Sequence, residues 1–190
     1  GYDRYKVNMK VGSGDTSRWD IAFGPTDTRP RGYTDRAPLC PNLQCYDTPA
    51  LDKPLQISGQ PYVDLHLSID ATDGPLFLYL EDVDSEGRVT YITEGMLRLA
   101  HRYETAQMTD GEPPEHTYKR TDLQPLTPGE VTRVRINLLP IAYRLQKGHR
   151  LRLSFACADQ DHFEQFLPTP SHVNFHRGEG QQSRLFLPVV

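Results

Sequence analysis

Apolar and polar residues alternate in segment after segment of this chain. Tyr5, Val7, Met9 and Val11 fall on one side of YKVNMKV, and Val63, Leu65, Leu67 and Ile69 on one side of VDLHLSI. A period of two predicts half-buried strands. LFLYLEDV (76–83) is nearly continuous in apolar and aromatic residues up to Glu81, which predicts a strand covered on both faces near a sheet centre. The pattern breaks at Asp84-Ser85-Glu86-Gly87 and resumes as VTYITEGMLRLAHR, a hairpin with a short polar loop. VTRVRINL (131–138), RLRLSFAC (150–157) and SRLFLPVV (183–190) repeat it, the second turning Leu151, Leu153, Phe155 and Cys157 inward. WDIAF (19–23) also reads as a strand, and the total comes to about eight or nine.

One short helix is expected over 140–147, because Pro140 suits a first helical turn and Gly148 the position just past the last one. Two long proline-rich connections, 24–54 and 103–129, separate the strands, and connections of that length usually carry function or pack on a partner. Many short strands with few helices predict an all-β fold, a two-sheet β-sandwich with jelly-roll topology. No repeat or composition shift divides residues 1–190, so a single domain is expected.

Composition narrows the function classes. The 16 prolines in 190 residues exceed the roughly 9 or 10 of average usage and argue against an all-helical fold. A net charge of −4 with interspersed signs leaves no basic stripe for nucleic acid, and no run reaches the roughly 18 apolar residues of a membrane helix. Cys40, Cys45 and Cys157 are too sparse for a secreted disulfide framework and read as reduced thiols, in keeping with a cytoplasmic setting. The N-terminal GYDRYKVNMK has no signal-peptide apolar region and no initial Met, as expected of a piece cut from a longer protein.

Candidate chemistry is thin. Ser13 in VGSGD lacks the G-x-S-x-G frame of a nucleophile elbow and reads as a turn. Asp82-Val83-Asp84-Ser85-Glu86-Gly87 opens like a calcium loop, yet Thr93 stands where the bidentate Glu belongs. His172 and His176 share a face without further ligands, His66 and His162 are expected at the surface, and no metal or cofactor is expected. Trp19, the only tryptophan, reads as a core residue more readily than as a sugar platform.

Four segments taken in order carry a family resemblance: CYDTPALDKPLQISGQPYVDLHLSIDATD, LYLEDVDSEGRVTYITEGMLRLAHR, PLTPGEVTRVRINLLPIAYRLQKGHRLRLSFACAD and the closing SRLFLPVV. With them the chain resembles the C-terminal domain of the cocaine-esterase and X-Pro dipeptidyl-peptidase family of serine hydrolases. The motif residues are Asp82 and Gly87 in the acidic turn, Gly95, Arg98 and Arg102 in TEGMLRLAHR, and Gly148, His149 and Arg150 in KGHRLRL. Gly95 suggests a bulge or a close backbone approach, and the arginines suggest fixed ion pairs.

The resemblance implies a galactose-binding-like jelly roll packed against an upstream α/β-hydrolase domain of the same protein, with the Ser, Asp and His of the triad all in that partner. It also implies a hydrophobic lip for the acyl pocket from the strand end Ile21-Ala22-Phe23, with Phe23 the best match and Trp19 and Ala22 beside it. CPNLQC (40–45) looks inserted relative to the family pattern. A free-standing carbohydrate-binding module is the alternative function, and homo-oligomerisation is left open.

Overall fold

A computed structural model of the chain describes residues 1–14, 17–19, 33–105, 112–165 and 169–190. Eleven strands occur among these residues: β1 (Tyr2–Lys6), β2 (Gln44–Asp47), β3 (Leu55–Gly59), β4 (Tyr62–Ile69), β5 (Pro75–Val83), β6 (Val89–Arg98), β7 (Thr132–Asn137), β8 (Ile141–Leu145), β9 (Arg150–Ala156), β10 (His172–His176) and β11 (Arg184–Phe186). Every pairing between them is antiparallel. The chain is an all-β sandwich. In the first sheet β4 is the spine, with β7 on one edge, β10 and β11 end to end along the other, and β1 beyond β10. The second sheet runs β2-β9-β5-β6, and β3 and β8 form a separate pair.

Alternation places one face of each sheet in a shared core. Leu65, Leu67 and Ile69 of β4, Val134 and Ile136 of β7, and Val173 and Phe175 of β10 pack with Leu76, Leu78 and Leu80 of β5 and with Leu151, Leu153 and Phe155 of β9. Ile57 of β3 and Leu145 of β8 join the same core. The second sheet is also covered on its other face, where Phe77, Tyr79 and Ala156 meet Val11 and Leu43. Consequently β5 is buried at every position after Pro75, as its continuous apolar run predicts.

The acidic turn closes the β5–β6 hairpin by backbone chemistry. Asp84 Oδ1 accepts from the Glu86 and Arg88 amides, and Gly87 takes φ +86°. Asp82, the would-be first calcium ligand, accepts instead from the Tyr143 hydroxyl at 2.9 Å and from His149 Nδ1 at 2.8 Å. Burial, then the bond to Asp82, pushes the Tyr143 phenol up to about 12. Gly95 lies where β6 crosses the end of β7, and a Cβ there would overlap the Asn137 carbonyl oxygen. The irregular register of this hairpin falls between Leu80 and Glu81, not at Gly95.

Several expectations need correction. Residues 141–145 form strand β8, not a helix: Ile141, Tyr143 and Leu145 turn toward the core while Ala142 and Arg144 are exposed, a period of two that the free edge of β3 completes. Pro140 precedes the strand, where its missing N–H costs no ladder bond, and Gly148 at φ +86° belongs to the turn before β9. The 24–54 connection contains β2, which pairs with β9, and a 3-10 turn at Ala37–Asn42. The first strand stops at Lys6, and Val11 packs on the opposite side of the second sheet from Tyr5. Of the arginines, Arg98 Nε binds Asp73 at 2.7 Å, Arg102 donates to the Leu99 and Gln124 carbonyls, and Arg150 is exposed.

A candidate docking surface on the second sheet

Residues 11–14, 17–19, 33–43 and 157–165 gather over the outer face of the second sheet. The β5–β6 register puts Phe77 beside Met96, Tyr79 beside Glu94, and Glu81 beside Tyr91, so alternation directs two carboxylates into a largely aromatic layer. Both are buried, and each therefore requires a partner.

Arg36, arriving from the segment before the 3-10 turn, supplies one. Its Nε pairs with Glu81 Oε1, with side-chain exposures of 3% and 2%. The guanidinium lies 4.0 Å from the Tyr79 ring centroid, and Ser154 Oγ donates to the second Glu81 oxygen at 3.0 Å. Glu94 receives the other partners: Arg18 Nε binds one oxygen, and the Tyr33 hydroxyl donates to the other at 2.6 Å. Burial and then this hydrogen bond push the Tyr33 phenol strongly upward, so it stays protonated and keeps donating.

Trp19 extends the layer outward. Its ring meets Phe163 edge-on at 4.9 Å, Phe163 contacts Phe77 at 5.0 Å, and the Arg18 guanidinium lies 3.9 Å from the Trp19 centroid. An aromatic ladder thus runs from the sheet to residue 19. Trp19 is half-buried in a turn, neither a strand core residue nor a free platform. Ala22 and Phe23, with the rest of the expected 19–23 strand after Trp19, lie outside the described residues. The two chain positions that flank 20–32 converge on a single carboxylate, Glu94, through Arg18 and Tyr33. Sequence reasoning missed Glu94, Arg36 and Glu81; the one available signal was a pair of carboxylates in strands otherwise patterned for burial.

Beside the ladder, Ser13, Asp159 and His162 come together. Ser13 Oγ donates to Asp159 Oδ2 at 2.7 Å and lies 3.0 Å from His162 Nδ1, while the Ser13 and Asp161 amides bond Asp159 Oδ1. His162 is largely shielded instead of lying at the surface, its side chain only 10% exposed, because it packs against this cluster. The connectivity is not that of an activated nucleophile, in which serine donates to histidine and histidine to the carboxylate. Here the serine proton goes to Asp159, which leaves His162 Nδ1 as the donor to Ser13. Gly12 has no space for a Cβ against the Asp161 carboxylate, which accepts the Gly14 amide, so Gly-Ser-Gly serves as a turn wrapped around two aspartates. Ser13→Ala is therefore expected to cost about 1–3 kcal/mol of stability in urea unfolding by stripping a bond from a buried carboxylate. An unfolding midpoint unchanged by the substitution would contradict this.

Among the other histidines, His172 lies 3.6 Å from Asp70 and His176 Nε2 lies 3.1 Å from Ser68 Oγ. His66 is half-buried in β4, with Nδ1 shielded from solvent.

Residues 23–185 match the family model described as the X-Pro dipeptidyl-peptidase C-terminal non-catalytic domain. The whole chain is 39% identical to a protein named a serine esterase in Mycobacterium bovis and covers 30% of it. It is 24% identical to the cocaine esterase of a Rhodococcus species over 182 residues, 88% of this chain and 28% of that protein. Among solved structures, a CocE/NonD family hydrolase from Staphylococcus aureus superposes with a TM-score of 0.69 at 17% identity, covering all of this chain and 37% of that one. The chain thus spans about a third of the length of these relatives.

Proposed function

Because the chain belongs to the X-Pro dipeptidyl-peptidase C-terminal non-catalytic domain family, we propose that residues 1–190 act as one docking domain in a longer serine hydrolase that cleaves ester or X-Pro peptide bonds. In this reading the domain packs on an upstream α/β-hydrolase domain and completes its acyl pocket. Trp19, Ala22 and Phe23 form the pocket lip, and Phe23 makes the decisive apolar contact. The observation that carries the reading is the double attachment at Glu94 of β6, which holds Arg18 on one flank of 20–32 and Tyr33 on the other. A lip that shapes a pocket must be presented at a fixed place, and a buried carboxylate with two donors fixes both of its ends.

The test is Phe23→Ala in the complete hydrolase. Loss of one apolar contact in a specificity pocket should lower kcat/KM for bulky acyl substrates by about 1–3 kcal/mol and affect acetyl esters less. An equal loss on both substrates, or a loss of stability with no change in selectivity, would overturn the lip assignment. Glu94→Gln should move selectivity in the same direction, because the amide weakens the Arg18 contact while preserving the volume.

A further inference from the structure

The stretch CPNLQC (40–45) brings two sulfurs together. Cys40 sits in the 3-10 turn Ala37–Asn42, and Cys45 is the second residue of β2, paired across the ladder with Ser154 of β9. Between them the Leu43 amide bonds the Cys40 carbonyl at 3.1 Å, which folds the turn back on the strand. The two Sγ atoms lie 2.6 Å apart, inside the contact distance of two separate thiols, and both residues are half-buried. Cys157, the third cysteine, is buried in the main core, whereas Cys45 packs against the cluster on the other face of the second sheet.

We propose that Cys40 and Cys45 are a disulfide-forming pair, oxidised by thiol–disulfide exchange with a low-molecular-weight disulfide. One thiolate attacks a sulfur of the small disulfide and expels one thiolate. The second cysteine then attacks the mixed disulfide, forms the Sγ–Sγ bond and expels the other. The protein loses two protons and two electrons, and the small disulfide is reduced to two thiols. The bond would fasten the 37–42 turn to β2. That turn follows directly on Arg36, whose guanidinium neutralises Glu81, so the cross-link would also restrain the segment that delivers this charge to the second sheet.

The experiment uses the complete protein treated with oxidised glutathione at pH 8, followed by alkylation of free thiols and cleavage before aspartate. Residues 35–46 are released as one peptide holding both cysteines. The expected product is that peptide with an internal disulfide, two hydrogens lighter than the reduced form, and unalkylated. It should revert with dithiothreitol, and Cys157 should take no part. Cys45→Ser should instead give a glutathione adduct or an alkylated Cys40. Amide exchange across 35–46 should slow severalfold on oxidation in the native protein, and not in the Cys40→Ser/Cys45→Ser variant. Alkylation of both thiols after oxidation, or two stable glutathione adducts on one peptide, would overturn the pairing; a bond that forms without slowing exchange would overturn its fastening role.

Discussion

Glu81→Ala should destabilise the chain by about 3–5 kcal/mol, because it strands the guanidinium of Arg36 in a layer closed to water. The partners are 3% and 2% exposed, so neither charge can recover hydration by turning outward. Ser154 loses its acceptor as well. The same reasoning gives a second, opposite expectation: the paired change Arg36→Met with Glu81→Leu removes both desolvation costs and should recover most of that loss. Urea unfolding of the parent protein and the two variants checks both. If the double variant is no better than Glu81→Ala, the damage comes from lost packing on Tyr79 and not from an unpaired charge.

Phe155→Ala is the companion expectation in the apolar core. Phe155 is 1% exposed, and its ring meets Phe175 of the facing sheet at 4.7 Å and Tyr46 of β2 at 6.1 Å. The residue therefore bridges the two layers, and its truncation removes transfer energy and leaves a void at once, about 3–5 kcal/mol together. Phe155 already borders a cleft of about 310 Å³, lined by Leu65, Leu153 and Leu185, which the missing ring would enlarge. Leu153→Ala, on the same strand but 9% exposed, should cost less. A loss below about 1.5 kcal/mol for Phe155→Ala in chemical denaturation would mean that the sheets close over the gap.

Much of the fold is legible because burial writes a period of two into the chain. β4, β5, β6, β7 and β9 all lie where alternation or a continuous apolar run puts them. The failures share a cause. In 140–147 the proline and glycine at the two ends are compatible with either a helix or an edge strand, and local preference cannot report that β3 offers a free edge. β2 is four residues long and lies inside a proline-rich stretch, too short for a period to register. The charged and aromatic layer on the second sheet was hidden for a different reason. Arg36, Glu81 and Glu94 are ordinary surface residues by type, and only the covering of the outer face by these segments makes them interior. The hydrogen bonds that decide against Ser13 as a nucleophile likewise span 146 and 149 positions of sequence.

Glu94 separates two properties that usually change together. With Arg18 and Tyr33 secured to one carboxylate, the chain between them begins and ends at places set by the sheet, whatever its own length and composition. Closing a chain segment of twice the length between two fixed ends costs only about 0.6 kcal/mol more. Insertions or deletions between Arg18 and Tyr33 that keep both residues should therefore cost the sandwich below little. Glu94 makes this stretch a port for variation: selection can act on what is plugged in there while leaving the socket alone.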